Sequence, residues 1–123
     1  MAGLKDKLFP KAAAAGLTIV LPEGQDPRVM KAARLVAEAK IAKVKVLATA
    51  AEAAVSQQGI SFAGLDVEVI DYLHSSQFDA LTHVLFERRK SKGLTEEQAH
   101  DMTKNRLYYG NLMLNQGMVG GLV

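Results

Sequence analysis

The sequence predicts an α/β fold, a three-layer, mostly parallel, doubly wound sheet of about four strands. Three observations carry that reading. Short runs of Leu, Ile and Val alternate with longer stretches of helical periodicity, the pattern that right-handed strand–helix–strand crossovers require. Apolar residues make up 49% of the chain but aromatic residues only 6%, with no Trp, so Ala, Val and Leu build a core suited to helices lying close on a sheet. The 123 residues suffice for one domain with a real core and are too few for two.

Each element has a local cause. Leu4, Leu8, Ala12 and Ala15 recur at helical intervals, which predicts a short first helix closed by Gly16. The run over 17–21, Leu-Thr-Ile-Val-Leu, reads as a strand buried on both faces, as parallel strands are, and Pro22 and Gly24 stop it. Asp26 before Pro27 marks a helix start, because the carboxylate caps free N–H groups and proline at the first helical position loses no hydrogen bond. That helix extends to about residue 40, with Val29, Ala33, Val36 and Ala37 as its buried stripe.

Val44, Val46 and Leu47 supply the second strand. Thr49 and Glu52 form a capping box for an alanine-rich helix, and Gly59 lies where it ends. Val67, Val69 and Ile70 offer a third strand. Ser76 is expected to cap a helix that carries Phe78, Leu81, Val84 and Leu85 and ends at Gly93, and Thr95 with Gln98 forms a second capping box for the next. Residues 108–116 read as one more short helix, Gly117 follows it, and a fourth strand begins near Gly121.

Charge and composition exclude several function classes. Fifteen basic residues against thirteen acidic leave a net charge of +2, so no whole-molecule field points to nucleic acid or a membrane surface. The absence of cysteine removes a disulfide framework, a zinc–thiolate site and a cysteine nucleophile, and it fits a cytoplasmic setting. Pro10 and Lys11 interrupt the N-terminal apolar run, so no signal-peptide core is expected, and no stretch has membrane-spanning length. Dinucleotide and P-loop glycine signatures, the H-E-x-x-H pair and the G-x-S-x-G elbow are all missing. His74, His83 and His100 do not share adjacent turns of one helix and are expected to be solvated surface residues rather than metal ligands.

The most distinctive local chemistry is Arg88-Arg89-Lys90-Ser91-Lys92-Gly93, four cations in five positions at a helix end. Cations there offset the negative end of the helix dipole, each contributing about 0.3–1 kcal/mol, which accounts for one or two of them. Arginine's planar fork and lysine's point charge also suit a polyanionic, phosphate-bearing ligand. Charge alone favours the solvated-face reading over the ligand reading.

A resemblance changes that weighting. Residues 18–33, TIVLPEGQDPRVMKAA, and 89–117, RKSKGLTEEQAHDMTKNRLYYGNLMLNQG, together resemble the opening third of a phosphate acetyltransferase. Pro22-Glu23-Gly24-Gln25-Asp26-Pro27-Arg28 matches that family's Pro-Glu-Gly-x-Asp-x-Arg opening. Glu87, Arg89, Lys90, Lys92 and Gly93 match Glu-Leu-Arg-Lys-x-Lys-Gly, with Arg88 at the leucine position. Tyr108-Tyr109-Gly110-Asn111-Leu112-Met113 resembles Tyr-Phe-Gly-x-Met-Met, where Tyr109 and Met113 are also ordinary core residues and Gly110 allows close helix approach. Gly117-Met118-Val119-Gly120-Gly121-Leu122-Val123 stands where the family has Gly-x-Ala-Asp-Gly-Leu-Val, so Gly120 occupies the aspartate's position.

The resemblance implies an isocitrate dehydrogenase-like architecture and an enzyme that moves an acetyl group between acetyl phosphate and coenzyme A. Residues 1–123 would then be its truncated N-terminal α/β domain, inactive alone because the catalytic second domain lies outside the chain. It implies that Arg89, then Lys92 and Lys90, bind coenzyme A, a substrate rather than a tightly held cofactor. It assigns no catalytic residue and no metal to this chain. Partners would be small molecules and further copies of the protein, with no nucleic acid or membrane. The alternatives are a phosphate butyryltransferase, or a non-catalytic module that binds a phosphorylated ligand or itself. For Arg28 an ion pair competes with a direct ligand role.

Overall fold

A computed structural model describes residues 16–123; the first helix expected from the sequence lies outside the described residues. The elements are β1 (Thr18–Leu21), α1 (Pro27–Glu38), β2 (Lys43–Leu47), α2 (Ala50–Ser56), β3 (Val67–Ile70), α3 (Phe78–Arg89), α4 (Glu96–Thr103), α5 (Arg106–Asn115) and β4 (Gly121–Leu122). Short 3-10 turns at Tyr72–His74 and Lys90–Lys92 flank α3.

The four strands form one sheet in the order β3-β2-β1-β4, and every pairing is parallel. Ile19 lies opposite Val44 and Gly121, and Val46 opposite Val69. Alternation along the strands splits the core in two. Ile19, Leu21, Val44 and Val46 pack with Met30 and Ala33 of α1 and Ala53 of α2, whereas Val20 and Leu47 face Leu81 and Leu85 of α3 and Leu112 and Met113 of α5. Helices on both faces of a parallel sheet are the three layers that the composition predicts.

Most helix starts follow their sequence signals. The Asp26 side chain accepts the Arg28 N–H at 2.9 Å, and both capping boxes close, Thr49 with Glu52 and Thr95 with Gln98. Two boundaries differ. Ser76 does not cap α3; Gln77 holds the cap position without a side-chain bond. Burial of Phe78 against Tyr109 and the His100 ring fixes that first turn instead. Helix α5 begins at Arg106 rather than near 108, because the Asn105 side chain accepts the N–H groups of both Leu107 and Tyr108. Gly93, at φ 90°, takes the left-handed conformation that stops the Lys90–Lys92 turn.

No helix among the described residues is long and apolar enough to cross a membrane. His74, His83 and His100 are exposed, as expected. Among the described residues no group of three or more His, Asp or Glu side chains could hold a metal ion.

Candidate functional site

Open parallel sheets present their ligand-binding loops at the carboxyl ends of the strands. Here that edge is built around Arg106, the first residue of α5. Its guanidinium bonds Gln25 Oε1 at 2.6 Å, the Pro22 carbonyl at 3.2 Å and Glu52 Oε2 at 2.5 Å, and lies 3.4 Å from the Leu47 carbonyl. It also sits over the Tyr72 ring, 5.2 Å from the centroid. One side chain therefore ties together the 22–26 loop, the end of β2, the start of α2 and the turn after β3.

The pair is largely sheltered, with 16% of the Arg106 side chain and 28% of Glu52 exposed. Burial opposes ionisation of Glu52, but the Thr49 N–H and the Arg106 guanidinium outweigh it and hold the carboxyl below the ordinary 4.5. Burial also pushes the Tyr72 and Tyr109 phenols up, and the Tyr109 hydroxyl is paired with Ser75 Oγ.

The 22–26 loop is pinned from a second side. The Gly24 N–H donates to the Leu47 carbonyl at 3.0 Å, and the buried Ser56 hydroxyl donates to the Gly24 carbonyl at 2.7 Å. A Cβ at Gly24 would crowd the Leu47 carbonyl and fall 2.6 Å from Val46 Cγ1, so only glycine allows this approach. Arg28 forks onto Asp26 in a surface ion pair and its side chain is 89% exposed. The Arg28 guanidinium holds the Asp26 carboxyl below its ordinary value.

The sequence-predicted cations stand elsewhere. Helix α3 leaves the carboxyl edge and, over 12 residues, carries its far end about 18 Å away. Helix α4 returns alongside it, since His100 meets Phe78 while Glu96 lines the same shallow hollow as Phe86. Arg89 and Lys92, both exposed, line one open hollow of about 570 Å³ with Gly93, Leu94 and Gln98, and neither has a carboxylate partner among the described residues. Lys90 turns instead to Glu87, 2.7 Å away, and holds that carboxyl below its ordinary value. The structure thus brings Arg89 and Lys92 to one hollow, pairs Lys90 with Glu87 instead, and sets the cation run at the end of α3, about 18 Å along the helix from its start.

Gly120 lies at the amino end of β4. Its N–H donates to the Thr18 carbonyl at 2.7 Å, and a Cβ there would crowd Leu17 Cδ1. The Tyr109 side chain is 1% exposed and Met113 is fully buried, so both are core residues. Gly110 brings α5 onto the sheet, where a Cβ would stand 3.1 Å from Leu122 Cδ1 and 3.3 Å from Pro22 Cγ.

Residues 3–123 match the family model for phosphate acetyl/butaryl transferase. The chain belongs to that family. It is 37% identical over 116 residues to the phosphate acetyltransferase of Thermoanaerobacterium thermosaccharolyticum, an alignment covering 94% of this chain and 35% of the relative. It is 39% identical over 119 residues to that of Escherichia coli, covering 95% of this chain and 16% of the relative. Among solved structures, the EutD phosphotransacetylase from Staphylococcus aureus superposes with a TM-score of 0.84 at 30% identity, over 98% of this chain and 36% of the other. A phosphotransacetylase from Streptococcus pyogenes gives 0.82 at 27% identity, over 99% and 37%. The chain thus spans about a third or less of the length of the phosphate acetyltransferases it matches.

Sequence reasoning missed Arg106, Tyr72 and Ser56. Arg106 follows a good cap residue, Asn105, but the groups it binds lie 54 to 84 positions earlier, and only tertiary packing brings them together. The one local hint was Glu52, whose capping role placed a carboxylate at the start of α2.

Proposed function

We propose that this chain is the N-terminal α/β domain of a cytoplasmic phosphate acetyltransferase, an enzyme that moves an acetyl group between acetyl phosphate and coenzyme A. In that reaction the coenzyme A thiolate attacks the acetyl carbonyl, a C–S bond forms, the C–O bond to phosphorus breaks, and phosphate leaves. No residue of this chain is assigned to the chemical step. Its part is binding, with Arg89 and Lys92 gripping phosphates of coenzyme A and Lys90 adding charge nearby. The catalytic groups belong to a second domain, and the complete protein is a homo-oligomer. The relatives reported above are named acetyl rather than butyryl transferases, which favours the acetyl reading.

One observation supports the binding role: Arg89 and Lys92 share an open hollow, and among the described residues no carboxylate pairs with either. Their distance from the carboxyl edge suits coenzyme A, whose long pantetheine arm separates its phosphates from its thiol. A phosphate grip far from the chemistry is what such a ligand asks for.

The test is a calorimetric titration of coenzyme A into the 123-residue chain and its Arg89→Ala/Lys92→Ala variant. Saturable uptake that the variant loses supports the assignment; uptake unchanged in the variant, or none at millimolar coenzyme A, overturns it. Light scattering on the same samples separates ligand binding from a module that only pairs with itself.

A further inference from the structure

We propose that Lys92 is a site of self-acetylation by acetyl phosphate, steered there by Arg89; the inference rests on the function proposed above, which makes acetyl phosphate a substrate. The reason begins with the turn that ends α3. Side chains three apart eclipse across a 3-10 turn, and Arg89 and Lys92 stand at that spacing around Lys90–Lys92, where the Gly93 N–H donates to the Lys90 carbonyl at 3.0 Å. Both line the open hollow with Leu94 and Gln98. Lys90 falls on another side of the turn and reaches Glu87.

Comparison with the other described lysines singles Lys92 out. Lys45, Lys90 and Lys104 pair with Glu68, Glu87 and Asp101 at 2.6, 2.7 and 3.5 Å. Lys31, Lys40, Lys43 and Lys92 are exposed and have no carboxylate partner among the described residues. Lys40 and Lys43 share their hollow with Glu38 and Asp66, whose charge repels an anion. Lys31 lies one turn from Arg28 and Arg34, each already committed to a carboxylate. Only the Lys92 hollow combines a free amine with a second cation, Arg89, that no described carboxylate neutralises.

Acetyl phosphate is an anion and an acylating agent in one molecule. The Arg89 fork takes its phosphate oxygens, which holds the acetyl carbonyl beside the Lys92 amine. The neutral Nζ attacks that carbonyl carbon, a C–N bond forms, the C–O bond to phosphorus breaks, phosphate leaves with the electron pair, and the extra Nζ proton passes to water. The product is an uncharged amide, so one of the two cations of the hollow is lost. This is a stoichiometric modification of the chain and not turnover. Accumulating acetyl phosphate would thereby weaken the protein's own hold on coenzyme A.

The test treats the 123-residue chain with acetyl phosphate and, separately, with acetic anhydride, a neutral reagent that no cation can steer. Peptide mass spectrometry at low conversion reads the ratio of acetyl-Lys92 to acetyl-Lys31. The ratio is expected to be roughly two- to fivefold higher with acetyl phosphate, the gain that an exposed charge contact allows. Arg89→Ala should make the two reagents give equal ratios. The proposal is overturned by equal ratios in the parent chain, by an excess that survives Arg89→Ala, or by an equal excess at Lys40 or Lys43. An Arg89-dependent excess that coenzyme A does not suppress upholds the modification and counts against the coenzyme A grip.

Discussion

Gly24→Ala probes how the carboxyl edge is held. The added methyl would crowd the Leu47 carbonyl and stand 2.6 Å from Val46 Cγ1 and 2.9 Å from the Leu47 carbonyl carbon, and backbone atoms of a central strand cannot step aside. Either the methyl is over-packed, at about 1–3 kcal/mol, or the loop retreats. Retreat breaks the Gly24 N–H bond to Leu47 and the Ser56 hydroxyl bond to Gly24, each contributing about 1 kcal/mol. Either way the expected loss is about 1–3 kcal/mol, a sizeable share of the ~5–15 kcal/mol typical of a domain.

Urea unfolding followed by far-ultraviolet circular dichroism measures it. Gly120→Ala is the control, since its methyl would meet Leu17 Cδ1, the rotatable tip of a side chain, and should cost less than about 1 kcal/mol. An unchanged midpoint for Gly24→Ala, or a larger loss for Gly120→Ala, would refute the reasoning.

Other predictions concern the same edge and the activity. Arg106→Met should cost about 2–4 kcal/mol, because it strands Glu52, Gln25 and a carbonyl, and the double variant with Glu52→Gln should cost less than the sum of the singles in an unfolding cycle. Because the folded Glu52 pKa lies below the ordinary 4.5, the unfolded chain binds the extra proton. Its contribution is therefore complete above pH 4.5 and lost as pH falls through the folded value; Glu52→Gln should flatten that part of the stability–pH curve. Asp26→Ala should cost about 1 kcal/mol through loss of the α1 cap, read from the same melts. The purified chain alone should show no acetyl transfer, since two-walled sites need groups from both walls; turnover by a mass-verified sample would contradict this.

The fold was legible because its signals are local. Asp26–Pro27, the Thr49–Glu52 and Thr95–Gln98 boxes and the stops at Gly93 and Gly117 each act within a few residues, and the elements fall where these signals place them. The misjudged starts, Ser76 for α3 and residue 108 for α5, were decided by Phe78 burial and by the double acceptor at Asn105. The candidate site was half legible. The cation run announced Arg89 and Lys92, but nothing local said that Lys90 would turn to Glu87, or that a crossover helix would carry the run away from the Gly24 loop. The Arg106 clamp was invisible, because every group it binds lies in another element.

The most direct test of the central claim joins the 123-residue chain to the remaining two-thirds of the Thermoanaerobacterium thermosaccharolyticum phosphate acetyltransferase and measures Michaelis constants for coenzyme A and acetyl phosphate before and after Arg89→Ala. Losing charge-assisted hydrogen bonds worth about 1.5–3 kcal/mol should raise the coenzyme A constant roughly ten- to hundredfold, with that for acetyl phosphate unchanged. Equal coenzyme A constants before and after the substitution would contradict the account.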